Sequence, residues 1–305
     1  MVKSTIKLLL MLALAGAVFV FLSGEYLSHC WLHSVGAPPN SSFIPISIEV
    51  SNNKPVSGWL VRGQEGGGVV LLLHGVRADR RAMVRRAEFL HKLNYSVLLI
   101  DLPAHGESFG EHITFGARES EGVSAALQYI YQTFPKEKVG VIAISLGAAS
   151  FVLAKRDREP EAVVLESMFP TIEAAVSNRL RSYIGPIAVP FAPLLIEQLP
   201  LRLNVSPENL RPINELKYLH SPLFIVSGAV DRYTPLAETE KIFAAANEPK
   251  QLWVVDGAAH VDLYDFSPQK YEENIKTFFG KYLLDGKKSL LNEEGSAPPQ
   301  SQILN

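Results

Sequence analysis

Ser145, Asp231 and His260 have the residue types and the chain order that nucleophilic acyl transfer uses. A serine hydroxyl attacks a carbonyl only once a base takes its proton. An imidazole can take that proton and return it, and a carboxylate can hold the ring in the tautomer that does so. Ser145 lies in the stretch 140–150, GVIAISLGAAS, where Val139, Val141, Ile142 and Ile144 read as a buried strand and an alanine-rich helix follows at once. A sharp strand-to-helix turn lifts a serine off the sheet edge, and small residues two before and two after it let strand and helix pass closely. Here those residues are Ala143 and Gly147, so the first glycine of G-x-S-x-G is replaced by a methyl-bearing residue. Alone, the pentapeptide also fits a strand end capped by serine, and its partners decide between the readings.

Asp231 follows the apolar run 223–226 and His260 follows the run 251–255, so all three residues stand just beyond strand ends. Ligands of open α/β sheets bind at those carboxyl ends. His260 is the expected general base and Asp231 its orienting acid, with Glu166, at another strand end, and Asp256, close to His260, as rival acids. The backbone N–H groups of Leu146 and Val76, the latter in the turn His74-Gly75-Val76, would face a developing oxyanion.

The elements needed to position these groups are legible in order. Runs 44–50 and 56–61 form an entry hairpin around the turn 52–55, and 69–73, 95–100, 139–144, 162–166, 223–226 and 251–255 read as buried strands. Amphipathic helices are expected near 78–93, 117–134, 146–155, 236–246 and 268–284. Fully apolar strands alternating with amphipathic helices mean a parallel sheet covered on both faces. The rhythm breaks at 168–219, where seven prolines punctuate an apolar middle, and this reads as an inserted helical cap. Its apolar residues, among them Ile184, Ile187, Phe191, Leu194, Ile196 and Leu199, suit either an acyl pocket or the cap's own core.

With 305 residues, 47% hydrophobic and 20% charged, the chain can bury a large core, and its net charge of −2 gives no electrostatic reason for a nucleic-acid partner. The single cysteine, Cys30, excludes an internal disulfide and a CxxC redox pair. Arg77, Arg81 and Arg85 fall at helical spacing and would share a helix face that is solvated or that contacts anionic lipid headgroups or an acidic substrate. Lys3 and Lys7 precede an uncharged run, 8–24, and the next lysine or arginine is Lys54. That bias keeps the N-terminus cytoplasmic and sends the remainder across a membrane. Seventeen helical residues reach about 25 Å, short of a hydrocarbon core of about 30 Å. No small-x-small cleavage site follows, so an uncleaved anchor is preferred to a cleaved, secreted form. The expected division is an anchor or signal at 1–24, a linker at 25–43, a catalytic domain at 44–284 and a disordered tail at 285–305.

From about residue 44 to 284 the chain resembles the α/β-hydrolase superfamily. The residues that carry the resemblance are His74-Gly75, the segment Asp101 to Ser108, Ala143 to Gly147, Gly228-x-x-Asp231 and Gly257-x-x-His260. It is similar, more closely, to bacterial membrane-anchored serine hydrolases and to monoacylglycerol-lipase-like and prolyl-aminopeptidase-like enzymes. The resemblance implies an α/β-hydrolase fold with a mostly parallel sheet and an inserted cap. It also implies an activity without cofactor or metal, on a small or lipid-like ester or thioester with an apolar acyl part. Ala104 stands where the family usually has Gly or Arg before His105. Glu107, Glu111, His105 and His112 could be drawn as a metal cluster, but the resemblance explains their segment as a loop. An amidase or peptidase would use the same triad. A non-catalytic binding module at the membrane would have no reason to keep all three residues in register.

Overall fold

The computed structural model describes residues 2–50 and 54–284. The expected tail at 285–305 and the first half of the turn at 52–55 lie outside the described residues. Eight strands form one sheet: β1 (Phe43–Glu49), β2 (Pro55–Val61), β3 (Val69–Leu73), β4 (Ser96–Ile100), β5 (Val139–Ile144), β6 (Ala162–Glu166), β7 (Leu223–Gly228) and β8 (Lys250–Val255). Their spatial order is β8-β7-β6-β5-β3-β4-β2-β1. β2 runs antiparallel to both β1 and β4, and all other neighbours are parallel.

Strands at the centre are apolar throughout because both faces are covered, and every residue of β3 and β4 is buried. The two-residue period divides them between two layers. Leu71, Val141 and Val163 face α3 (Glu119–Thr133), α4 (Leu146–Leu153) and α6 (Leu236–Ala245). Val70, Ile142 and Val164 face α2 (Val84–Lys92) and α7 (Pro268–Tyr282).

Between β6 and β7 the chain builds the cap: α5 (Ile172–Tyr183) and the short helices Pro186–Phe191, Ala192–Ile196 and Gln198–Leu203, before three further single turns. Thr171 caps α5, its side chain accepting from the Ala174 N–H. Prolines sit in the first turns of four of these short helices, where no N–H is needed. Of the two readings of the cap's apolar residues, Ile196 and Leu199 belong to its own core with Ile172, Leu203 and Leu210. Ile184, Ile187, Phe191 and Leu194 instead face outward.

The N-terminal helix α1 (Val2–Ser28) has 27 residues and extends past the uncharged run at both ends. At 1.5 Å per residue it reaches about 40 Å, which meets the length a membrane span needs. It does not lead into a free linker. The Ile113 N–H donates to the Ser28 carbonyl at 2.8 Å, and Trp31–Leu32 pairs in parallel with His105–Gly106.

The basic run differs from the shared helix face expected of it. Arg80–Met83 is a 3-10 turn capped by Asp79, and the α-helix starts only at Val84. Arg80 and Arg86 are buried, Arg80 on Asp101 and Glu107. Arg77 turns at a positive φ and stacks on Tyr26, Arg81 pairs with Asp79, and Arg85 pairs with Asp265. The helical spacing fails because Asp101 draws Arg80 inward and breaks the register before the helix begins.

Candidate active site

β5 ends at Ile144 and α4 begins at Leu146, so Ser145 makes the turn alone, at φ 50° and ψ −109°. A non-glycine residue held there carries about 1–3 kcal/mol of strain, which its surroundings must offset. Ser145 N–H donates to the Glu166 carbonyl at 2.8 Å, and its own carbonyl accepts from Ala149 at 3.0 Å. A Cβ on Gly147 would stand 2.6 Å from the His74 carbonyl oxygen, so helix and strand meet at a distance only glycine allows. Ala143 lies inside β5, paired with Leu73 and Leu165, where a methyl is accommodated; this is the physical reason the first small position tolerates alanine.

Asp231 and His260 are brought together by their strands. Ala229 N–H donates to the Val255 carbonyl and Val230 N–H to the Ala258 carbonyl, both at 2.9 Å, which folds the loop after β8 over β7. β7 is nearer than β8 to β5, so the imidazole is carried toward Ser145. His260 Nδ1 lies 2.7 Å from Asp231 Oδ2. Asp231 also accepts from the Tyr233 N–H at 2.8 Å, the Thr234 N–H at 2.9 Å and the Thr234 hydroxyl at 2.7 Å. Burial opposes ionisation of this carboxylate, but the bonds from His260 and Thr234 outweigh it and hold its pKa below the ordinary aspartate value. An ionised Asp231 on Nδ1 fixes the proton there and leaves Nε2 as the acceptor. No hydrogen bond joins Nε2 to the Ser145 hydroxyl, and such bonds often tighten only when substrate is in place.

The rival acids go elsewhere. Asp256 is exposed, and Glu166 is buried against Arg86 at 2.9 Å and against the Tyr271 hydroxyl. Burial pushes the Glu166 carboxyl up, against the pull of Arg86 and Tyr271.

Gly75 lies beside the serine, since a Cβ on it would stand 3.7 Å from Ser145 Cβ. Among the described residues, neither the Val76 N–H next to it nor the Leu146 N–H donates to a protein acceptor. The turn is braced by buried His74, whose Nδ1 lies 2.7 Å from the Gly75 carbonyl and whose Nε2 accepts from the Leu102 N–H at 3.0 Å. These contacts require the proton on Nδ1. Burial, then the neighbouring His105, lower the His74 pKa to about 3, so the ring stays neutral.

Two groups escape a reading by residue type alone. Arg86 reaches Glu166, Asp262 at 2.7 Å and the Tyr271 hydroxyl at 3.0 Å. It thereby ties β6, whose Glu166 carbonyl holds Ser145, to the residue two beyond His260. Within a run of five arginines nothing marks it as buried. Tyr233 sits edge-on to His260 with ring centroids 5.2 Å apart. α5 docks there too: Arg179 lies over the Tyr233 ring at 3.9 Å and Asn178 donates to the Tyr233 carbonyl at 3.2 Å. The position of Tyr233 two residues after Asp231 was the available signal. The segment drawn as a metal cluster is dispersed, with Glu107 on Arg80 and His112 bridged to His29. Among the described residues no three such side chains are grouped to hold a metal.

Comparison with known proteins agrees with this fold. The profile described as "Alpha/beta hydrolase family" matches residues 70–273. The uncharacterized protein Rv2307c of Mycobacterium tuberculosis is 27% identical over 259 residues, 81% of this chain and 85% of that one. Human protein ABHD12B is 26% identical over 196 residues, 60% of this chain and 51% of that one. Among solved structures, the Pyrococcus furiosus esterase Pf2001 superposes with a TM-score of 0.69 at 22% identity, covering 84% of this chain and 98% of its own. The Pyrococcus horikoshii acylaminoacyl peptidase gives 0.58 at 15% identity, covering 82% and 44%.

Proposed function

Because the chain belongs to the alpha/beta hydrolase family and is a serine hydrolase, we propose that it cleaves a carboxylic ester or thioester with an apolar acyl part. Ser145 attacks the carbonyl carbon while His260 Nε2 takes its proton, and Asp231 stabilises the imidazolium. The Leu146 and Val76 N–H groups receive the oxyanion. Collapse of the tetrahedral intermediate passes the proton from His260 to the departing alcohol or thiol and leaves an acyl-enzyme. Water repeats the sequence and releases the acid. The observation that carries this reading is the 2.7 Å contact of Asp231 with His260 Nδ1, beside a serine held at a positive φ on a strand-to-helix turn. Turnover of p-nitrophenyl esters of rising chain length, set against matched anilides, tests it. Esters should be cleaved and a chain longer than acetyl preferred; cleavage of the anilides with the esters untouched would move the protein to the amidases and peptidases.

The same proposal places residues 44–284 as the catalytic domain, with 168–219 as its cap, and α1 as an uncleaved anchor that leaves the catalytic domain on the non-cytoplasmic side. Support for the anchor is that α1 runs unbroken into a segment bonded to the catalytic domain, at Ser28 and Trp31. In this placement the enzyme resembles membrane-anchored and monoacylglycerol-lipase-like hydrolases.

A further inference from the structure

We propose that the outward apolar face of the cap lies in the lipid interface of the leaflet through which α1 leaves the membrane, an inference that rests on α1 being an anchor. The face is made by Ile184, Ile187, Phe191, Leu194 and Leu201, all in one stretch of 18 residues, with Ile187 80% and Leu201 92% exposed. Isolated exposed apolar residues are ordinary, but a cluster of large ones on consecutive short helices is not.

What covers the face follows from where the cap touches α1. Gln198 donates from Nε2 to the Val20 carbonyl at 3.2 Å, and Arg202 donates to the Phe21 carbonyl at 2.8 Å while stacking over the Phe21 ring. Arg202 also pairs with Glu25. Val20 and Phe21 are inside the apolar run that ends at Leu22, where Val18, Phe19, Phe21 and Leu22 are exposed. The cap therefore meets the helix within the stretch that lipid must surround, not beyond it. Gln198 also bonds the Leu194 carbonyl, so Leu194 and its neighbours sit at the same level along α1. A bilayer deep enough to cover Phe21 reaches them.

The polar groups at that level suit the headgroup boundary. Arg202 carries charge on a long apolar stem, and Tyr26 stands about one turn further along α1 and Trp31 just beyond its end, with Arg77 over both rings. Arg77 directly follows Val76, so the oxyanion turn lies close to the membrane surface. A substrate with an apolar acyl part would reach Ser145 from the lipid phase under this arrangement.

The test uses the full chain in phosphatidylcholine vesicles containing equal amounts of lipid spin-labelled near the glycerol backbone and lipid spin-labelled midway along the acyl chain, so that both interfacial and core positions meet a quencher. Cys30→Ser removes the native thiol, and single cysteines at Ile187, at Leu201, at Leu14 in α1 and at Glu88 on α2 each carry a fluorophore. Quenching at least twofold at 187 and 201, matching position 14 and absent at 88, is the expected result. Quenching at 14 with 187 and 201 no different from 88 would leave the anchor standing and overturn the cap's placement. Cysteine cross-linking between two chains at 187 in place of quenching would assign the face to a second copy and overturn it equally. No quenching at 14, with release by alkaline carbonate, would remove the anchor reading and this inference with it. As a second readout, Ile187→Asp with Leu201→Asp should lower turnover of a vesicle-borne ester at least fivefold and leave a soluble short-chain ester within twofold.

Discussion

Acid should destabilise this protein through His74, before most of its carboxylates titrate. The ring is fully buried and bonded on both nitrogens, to the Gly75 carbonyl and the Leu102 N–H, so a second proton has no acceptor waiting. In the unfolded chain an imidazole has a pKa near 6.5, whereas in the fold it is about 3. A base depressed in this way contributes its full share of stability above the unfolded value. Between pH 6.5 and 3 the unfolded state binds the extra proton and stability falls with pH, by up to about 1.4 kcal/mol per unit. From pH 6.5 to 4.5 the loss from this one group is about 2 kcal/mol. His105 is lowered in the same direction, chiefly by burial, so the wild type should show a steeper slope than His74 alone supplies. The assay is urea unfolding of the full chain in detergent micelles at half-unit steps from pH 7 to 4.5, for the wild type and His74→Gln. Glutamine keeps an acceptor for Leu102 and cannot titrate. The variant starts less stable but should lose about 2 kcal/mol less across the range. Parallel curves would refute the argument, since they would mean that His74 gains its proton in the fold as easily as outside it.

Other perturbations discriminate between neighbouring residues. Arg86→Met leaves Glu166 and Asp262 facing each other without their cation and should cost about 3–5 kcal/mol, whereas Arg85→Ala breaks an exposed pair with Asp265 and a contact over the Tyr264 ring, together worth under about 2 kcal/mol. Unfolding midpoints of the two variants compare them directly, and equal losses would contradict the burial of Arg86. Gly147→Ala puts a methyl 2.6 Å from a backbone oxygen and should cost about 1–3 kcal/mol, with kcat falling more than KM rises, because the elbow itself must move. Asp231→Asn keeps the shape of the site but lets the proton settle on the wrong nitrogen of His260. It should lower kcat by about 10⁴ while KM stays within a few fold.

The sheet was legible because its strands are two-sided. Val69–Leu73 is apolar at every position and Ala162–Glu166 at every position but its last, a pattern that only a covered parallel strand needs, and the bounds of both agree with the sequence reading. The proposed triad could be picked out for a related reason, since Ser145, Asp231 and His260 stand one to five residues past a strand end. What the sequence hid depends on long-range contact. Trp31–Leu32 is a strand only because His105–Gly106 lies beside it, and two residues carry no period. The start of α2 was misjudged because Arg80 is drawn onto Asp101, 21 positions away, and a run of arginines looks the same whether its members face water or carboxylates. In the cap, irregularly spaced prolines hid which apolar residues turn inward, and only packing against Ile172 and Leu210 separates Ile196 and Leu199 from exposed Ile187.

The central claim is that Ser145 is a nucleophile activated by His260, and covalent capture tests it most directly. The folded full chain should react with a fluorophosphonate probe at one equivalent per chain, with the adduct on the peptide bearing Ser145. Ser145→Ala, equally folded, should take no label and lose ester turnover. Labelling that persists in Ser145→Ala, or a folded wild type that neither labels nor turns over an ester, would contradict the account.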